Sequence, residues 1–250
     1  MDLKIKDSVV LVTGASRGLG NAISKFLVDE GAYVVAVARS KSDLEELALY
    51  APGRVHPVVC DMANKSDVSL LVDKTIDKFE CLHAVVNNAG MAPAENFLES
   101  DISTMEMVLS VNLIAPAVIA KSAANYFISE NIKGSIINIA STSGLKGKAS
   151  LVSYSSSKGA LLRFTESLAV EWARHGIRVN AIAPGAFVTS AQSAVLENES
   201  ILEARLKKIP QRRMGDPEEI GPLTAYLISP LSSFVTGSCF VIDGGEVSKL

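Results

Sequence analysis

Tyr154 and Lys158 bracket the run Tyr154-Ser155-Ser156-Ser157-Lys158 at the start of a long helical pattern. A spacing of i, i+4 puts both side chains on one helix face, one turn apart. A free phenol has a pKa of about 10 and is a poor base at neutral pH. A neighbouring ammonium favours the phenolate, and the charge of an adjacent cofactor would add to that effect. Ser141 follows the apolar run Ile136-Ile137-Asn138-Ile139-Ala140. A hydroxyl at the carboxyl end of a strand lies where an α/β sheet holds its ligand, and it can hold a substrate oxygen while Tyr154 passes a proton. Tyr-x₃-Lys alone is a common accident of sequence, so its weight depends on what accompanies it.

A glycine cluster stands upstream in Thr13-Gly14-Ala15-Ser16-Arg17-Gly18-Leu19-Gly20, between a strand pattern and a helix pattern. Its spacing is G-x₃-G-x-G rather than G-x-G-x-x-G, but the physics is shared. Glycine permits a tight strand-to-helix turn and close backbone approach, and the helix N-terminus offers free N–H groups to phosphate. No Lys-Ser/Thr pair follows in the place a Walker A loop requires. The second strand ends in Ala38-Arg39-Ser40, where an acidic residue would hold ribose hydroxyls and repel a 2′-phosphate. Arg17, Arg39 and Ser40 instead form a candidate 2′-phosphate clamp, which predicts NADP(H) over NAD(H). The alternative is that Arg39 is an ordinary exposed arginine.

These residues need a scaffold. Val9–Val12, Tyr33–Ala38, Val55–Val59, Leu82–Val86, Ser135–Ala140, Arg178–Ala183 and Cys239–Ile242 read as seven strands. Many are apolar on consecutive positions, as a parallel sheet covered on both faces demands. Helical patterns near 19–30, 42–50, 66–79, 101–130, 153–175 and 217–228 alternate with them. The predicted fold is α/β, a Rossmann-type doubly wound seven-stranded parallel sheet with helices on both faces. No linker or repeat divides residues 1–250, so one dinucleotide-binding and catalytic domain is expected. Asp216-Pro217-Glu218-Glu219 is a helix-start signal. Residues 186–214 are polar and weakly periodic, which suits a substrate lid or, equally, a solvated pair of surface helices.

Composition narrows the classes. The 250 residues are 48% hydrophobic and carry a net charge of −3, which excludes a disordered chain and argues against a dedicated nucleic-acid binder. Cys60, Cys81 and Cys239 are isolated, so a reducing cytoplasm is the expected setting. The N-terminus lacks the apolar stretch of a signal peptide. Gly221 to Ile242 has no charged residue, yet its prolines, glycines and hydroxyls read as helix, turn and strand rather than a membrane span. His56, His83 and His175 are scattered, and no metal site is expected. A Ser-His-Asp triad at Ser141 lacks its G-x-S-x-G elbow.

The ordered set of Thr13-Gly-x₃-Gly-x-Gly, Asn87-Asn88-Ala89-Gly90, Asn112, Ser141, Tyr154-x₃-Lys158, Pro184-Gly185 and Ile242-Asp243-Gly244-Gly245 closely resembles the short-chain dehydrogenase/reductase family. The resemblance runs from Val9 to Gly245 and implies roles. Tyr154 would be general acid in reduction and base in oxidation. Lys158 would lower the Tyr154 pKa and hold the nicotinamide ribose. Ser141 would orient the carbonyl, and Asn112 would fix a water of the proton relay. Gly14, Ser16, Arg17, Gly18, Leu19, Gly20, Arg39 and Ser40 would meet the dinucleotide phosphates. Asp61 and Met62 would meet the adenine, and Asn88, Ala89 and Gly90 would line the cleft. Pro184, Gly185, Val188 and Thr189 would border the nicotinamide, with Thr189 at its carboxamide.

The resemblance also implies an oxidoreductase of carbonyls and secondary alcohols. Reductases of 3-oxoacyl carrier-protein or CoA thioesters share this frame and the late Arg213-Met214-Gly215-x-Pro217-Glu218-Glu219 element. An acidic carrier protein wants a basic docking patch. Glu130-Asn131-Ile132-Lys133 and Arg174-His175, expected to flank the cleft, are only modestly basic. A small ketone, diketone, sugar or polyol is therefore the alternative substrate, and a non-catalytic dinucleotide-sensing regulator is the alternative of another class. Val108, Val111, Ile114 and Ile119 on one helix, and Leu161, Phe164, Leu168 and Trp172 on another, are apolar on more than one face; one face must cover the sheet, which leaves apolar surface for a partner. In the family such helices build a homotetramer.

Overall fold

The structure is a computed structural model and describes residues 2–249. In chain order, β1 (Val9–Thr13), α1 (Gly18–Asp29), β2 (Tyr33–Ala38), α2 (Lys41–Tyr50) and β3 (Val55–Val59) come first. They are followed by α3 (Lys65–Ser69), α4 (Leu71–Phe79), β4 (Ala84–Asn87), α5 (Ile102–Leu109), a π-helical turn (Ser110–Ile114) and α6 (Ala115–Ser129). The remainder is β5 (Ser135–Ile139), α7 (Thr142–Leu145), α8 (Val152–Trp172), β6 (Arg178–Pro184), α9 (Ser193–Leu196), α10 (Glu199–Lys208), α11 (Ile220–Ile228) and β7 (Cys239–Ile242).

The seven strands form one parallel sheet in the order β3-β2-β1-β4-β5-β6-β7. The consecutive apolar positions of β1, β4, β5 and β6 are buried from end to end, because helices cover both faces. One core cluster joins the sheet to α1, α2 and α11 through Ile23, Leu27, Leu44, Leu47 and Ile228. The other joins it to α4, α6 and α8 through Leu71, Ile119, Phe127 and Ala169. The strand order reverses between β1 and β4. In open α/β sheets the crevice at the carboxyl ends of such a pair is where ligands bind.

Two expected helices are interrupted. The 66–79 pattern starts where the Asn64 side chain caps α3 by accepting the N–H groups of Ser66 and Asp67 at 3.1 and 3.4 Å, and it divides at Leu70, whose N–H turns to the Asp67 carbonyl three residues back at 3.2 Å. The 101–130 pattern contains the π-helical turn at Ser110–Ile114. Pro116 has no N–H to give the carbonyl of Asn112, which an α-helix would require. Ile102–Ser129 is also, by length and composition, long and apolar enough to cross a membrane, with a hydropathy of 1.7. Here it covers the sheet, with Val108, Ile119, Ala120, Ala123, Ala124 and Phe127 buried. Gly221–Ile242 resolves into α11, a short helical turn and β7, as its turn residues predict.

Candidate active site

The glycine loop is shaped by contacts that only hydrogen side chains allow. Gly14 has a φ of +68°, and a Cβ on Gly20 would lie 2.2 Å from the Gly14 carbonyl oxygen. Thr13 and Asn88 tie this loop to the end of β4. The N–H groups of Asn88 and Ala89 donate to Thr13 Oγ1 at 3.0 and 3.1 Å. Asn88 Nδ2 donates to the carbonyls of Thr13 and Gly14 at 2.9 and 3.2 Å. Arg17 is the N-cap of α1 and makes no capping hydrogen bond, so N–H groups of the first turn point outward uncapped. Leu19 packs on the core behind them. Uncapped donors, close-approach glycines and a sheet crevice suit a dinucleotide's diphosphate.

The residues expected at the adenosine end lie at the ends of β2 and β3. Arg39 is exposed, as is Arg17. Ser16 and Arg17 border a groove of about 430 Å³ with Asn21, Lys25, Asp43 and Tyr50, and Arg39 lies outside its walls. Ser40 Oγ accepts the Asp43 N–H at 3.5 Å as the cap of α2, which leaves its own proton to donate. Asp61 is exposed, with Oδ1 taking the Ala63 N–H at 3.0 Å. The Met62 side chain is buried in the core, so only its main chain can meet a base.

The reactive residues converge at the carboxyl ends of β4 and β5. Lys158 is buried and its Nζ donates to the Ile139 carbonyl at 2.7 Å. Burial pulls its pKa down to about 8. Its Nζ lies 5.9 Å from the centre of the Tyr154 ring. Burial raises the Tyr154 pKa, and a hydrogen bond with Ser141 opposes the rise. Desolvation of the phenolate is the larger of these two causes.

Asn112 is fully buried. Its Oδ1 accepts the Met91 N–H and its Nδ2 donates to the Met91 carbonyl and to Ser157 Oγ, all at 2.9 Å. A Cβ on Gly90 would lie 3.2 Å from Asn112 Oδ1 and 3.5 Å from Lys158 Nζ, so these three meet at one point. Two residues of the frame escaped the sequence reading. Ser157 accepts from Asn112 and donates to the Tyr154 carbonyl at 2.7 Å. Gly144 lets α7, which Ser141 caps, rest on the Tyr154 helix, since a Cβ there would lie 2.7 Å from the Lys158 carbonyl carbon. A glycine three residues after Ser141 was the available signal.

Beyond β6, Pro184 is buried at the strand end, and a Cβ on Gly185 would lie 2.6 Å from Asp243 Cβ. Val188 is exposed, and Thr189 crosses the glycine loop, its Cγ2 lying 3.4 Å from where a Gly18 Cβ would be. The 186–214 segment contains two short helices, α9 and α10, of which neither has a buried residue. Ala186, Ile209 and Met214 anchor its ends. One expectation is reversed. Glu130–Lys133 and Arg174–His175 precede β5 and β6, at the amino ends of the strands and across the sheet from Ser141 and Gly185. They do not flank the cleft.

A family model described as enoyl-(acyl carrier protein) reductase matches residues 14–246. The chain belongs to the short-chain dehydrogenase/reductase family. The 3-oxoacyl-(acyl-carrier-protein) reductase FabG of Thermotoga maritima is 34% identical over 98% of this chain and 100% of its own. Glucose 1-dehydrogenase 2 of Bacillus subtilis is 35% identical over 94% of this chain and 93% of its own. Among solved structures, a candidate NAD(P)-dependent gluconate 5-dehydrogenase from Beutenbergia cavernae, with NADP bound at low occupancy, aligns at a TM-score of 0.93. It is 29% identical and covers both chains fully. Members of the family with this arrangement are oxidoreductases that use nicotinamide cofactors.

Proposed function

We propose that this short-chain dehydrogenase/reductase interconverts a carbonyl and a secondary alcohol with NADP(H), and that Tyr154 is its general acid and base. The observation that carries the reading is the convergence of Ser141, Tyr154 and Lys158 beside the glycine loop, at the carboxyl ends of β1, β4 and β5. A bound nicotinamide dinucleotide supplies or takes up the hydride. Gly14, Gly18, Gly20 and the uncapped start of α1 would hold its diphosphate, and Asn88, Ala89 and Gly90 would line its path. Arg17, Arg39 and Ser40 favour a 2′-phosphate, because none carries a carboxylate and both guanidinium groups are exposed. Asp61 and Thr189 would meet the two ends of the cofactor.

Burial keeps Tyr154 protonated, the state from which it gives a proton to a carbonyl oxygen held by Ser141. That donation leaves a phenolate, which the Lys158 ammonium stabilises, and in the reverse direction the Tyr154 phenolate takes the alcohol proton. Both donors of the Asn112 amide are taken, by the Met91 carbonyl and Ser157 Oγ, and its main-chain carbonyl, to which Pro116 gives no N–H, would hold a water of the proton relay. The 186–214 helices serve as a lid. Tyr154→Phe should lower turnover by about a hundredfold to ten-thousandfold and leave NADPH binding nearly intact. Turnover within tenfold of the wild-type protein would refute the role.

The substrate class is a small ketone, diketone, sugar or polyol, or a 3-oxoacyl thioester as in FabG. The Lys133 and Arg174 segments, weighed as a docking surface for a carrier protein, lie at the far ends of the strands and give a carrier-linked thioester no support. A homotetramer is supported by exposed Ile102, Met107, Ile114 and Ile128 on the α5–α6 run and Val170 on α8. Val108, Ile119 and Leu161 of the same helical patterns are buried, on the face that turns inward. Sedimentation of a monomer at micromolar concentration would overturn the assembly.

A further inference from the structure

The segment that leaves β4 is fastened at both ends to the helix that carries Tyr154. At its start, a Cβ on Gly90 would lie 3.5 Å from Lys158 Nζ, and Met91 exchanges hydrogen bonds with the Asn112 amide. Asn112 in turn donates to Ser157 Oγ at 2.9 Å. At its end, the Glu95 N–H donates to the Ser150 carbonyl at 2.9 Å, and the Glu95 carboxylate accepts the Ser153 hydroxyl at 3.3 Å. Residues 90–95 therefore start beside Lys158 and end beside Ser153, and Tyr154 lies between those two points on α8.

The start of α8 has little else to hold it. Its N-cap, Leu151, offers no side-chain acceptor, and its first turn contains no acidic residue. Ser150, just ahead of it, has a φ of +62°, a left-handed conformation that strains a residue with a Cβ. Ser153 is 1% exposed, and among the described residues its hydroxyl donates to Glu95 alone. Glu95 is half-buried and, among the described residues, takes part in none of the ion pairs. Its carboxylate is therefore committed to Ser153. A carboxylate at the first turn of a helix also meets the positive end of the helix dipole.

We propose that Glu95 is a positioning residue: it fixes the first turn of α8 through Ser153 and Ser150, and so sets where the Tyr154 hydroxyl stands relative to Ser141. This inference rests on the proposed carbonyl–alcohol chemistry of that site, and it adds a residue from another segment on which the proton transfer depends. Proton transfer tolerates little displacement, because the donor must lie within hydrogen-bond reach of the carbonyl oxygen. Without the Glu95 acceptor, Ser153 keeps a buried, unpaired hydroxyl, and the turn beside Tyr154 shifts to satisfy it. The tether does not touch the glycine loop, so cofactor binding is independent of it.

The test follows NADPH oxidation with ethyl acetoacetate and with diacetyl. Glu95→Ala should lower kcat by about tenfold to a hundredfold, with KM and NADPH affinity changed less than about threefold. Glu95→Gln, whose amide oxygen still accepts the Ser153 hydroxyl, should keep most of the wild-type kcat. Ser153→Ala should match the loss in Glu95→Ala, and the double variant should lose no more, since both remove one hydrogen bond. In the Tyr154→Phe protein, Glu95→Ala should change the residual rate less than about twofold. An unchanged kcat in Glu95→Ala would overturn the proposal. So would a loss that persists in Tyr154→Phe, or one matched by a fall in NADPH affinity, because Glu95 would then support the fold alone. Hydrogen exchange of the amides at residues 152–157 reads the tether without turnover, and should quicken about tenfold in Glu95→Ala but not in Glu95→Gln. That quickening, in a protein that oxidises NADPH with neither ketone, would uphold the tether while refuting the reaction assigned to Tyr154. Unchanged exchange would overturn the tether itself.

Discussion

The two banks of the cleft are built on different principles. On the phosphate bank, backbone sterics and short hydrogen bonds leave one arrangement: Gly20 against the Gly14 carbonyl, and Asn88 and Thr13 stitched across β1 and β4. On the substrate bank, α10 buries nothing completely, and Leu196, Leu202 and Leu206 pack on only three buried residues, Ala186, Ile209 and Met214. Its strongest tie is Arg205–Glu246, whose side chains are 18% and 14% exposed. The phosphate bank is therefore preformed, while the substrate bank opens at little free-energy cost. On the proposed function, the common chemistry belongs to the tightly held side and specificity to the loosely packed one.

That contrast is open to direct attack. The largest effect is expected from Gly20→Ala, whose Cβ would press on the Gly14 carbonyl and displace the start of α1. Dinucleotide affinity should fall more than about a hundredfold, read by NADPH fluorescence titration. A loss under threefold would mean that the phosphate bank is not preformed.

Arg39→Asp should come next, moving the NADPH-to-NADH ratio of kcat/KM by at least about tenfold toward NADH. An unchanged ratio would remove Arg39 from the phosphate site.

Arg205→Met should act on the other bank alone. Proteolysis between residues 190 and 214 should accelerate by about tenfold, with substrate KM raised and NADPH affinity unchanged. A matching fall in NADPH affinity would show that the two banks are coupled.

The smallest effect is expected at His83, whose Nδ1 accepts the Val9 N–H at 3.0 Å. Burial pulls its pKa below 6.5, so below that value the unfolded chain takes up the proton first. The stability this histidine contributes is present above its unfolded pKa and is lost as pH falls toward the folded one. Urea unfolding at about pH 7.5 and 5.5 should show a loss of at most about 1 kcal/mol that His83→Gln removes, with lid proteolysis unaffected.

Much of the phosphate bank could be read from residue order, because it depends on local rules. A strand of consecutive buried aliphatics, a glycine where the left-handed region or a missing Cβ is needed, and a serine at a strand end declare themselves within a few positions. Ser141, Tyr154, Lys158 and the glycines accordingly meet as expected. The substrate bank was less legible. Residues 186–214 suited lid and surface helices equally, and the segments chosen as its flanks, Glu130–Lys133 and Arg174–His175, lie at the opposite end of the sheet.

By itself the sequence determined the β/α alternation and the glycine turn between β1 and α1, since each follows from the conformational limits of neighbouring residues, and its motif order named the candidate reactive side chains. Tertiary structure decided their state. It raised the Tyr154 pKa by burial and tied the Asn112 amide to Met91 and Ser157. Desolvation and pairing are set by groups distant along the chain, and only the folded molecule brings those groups together.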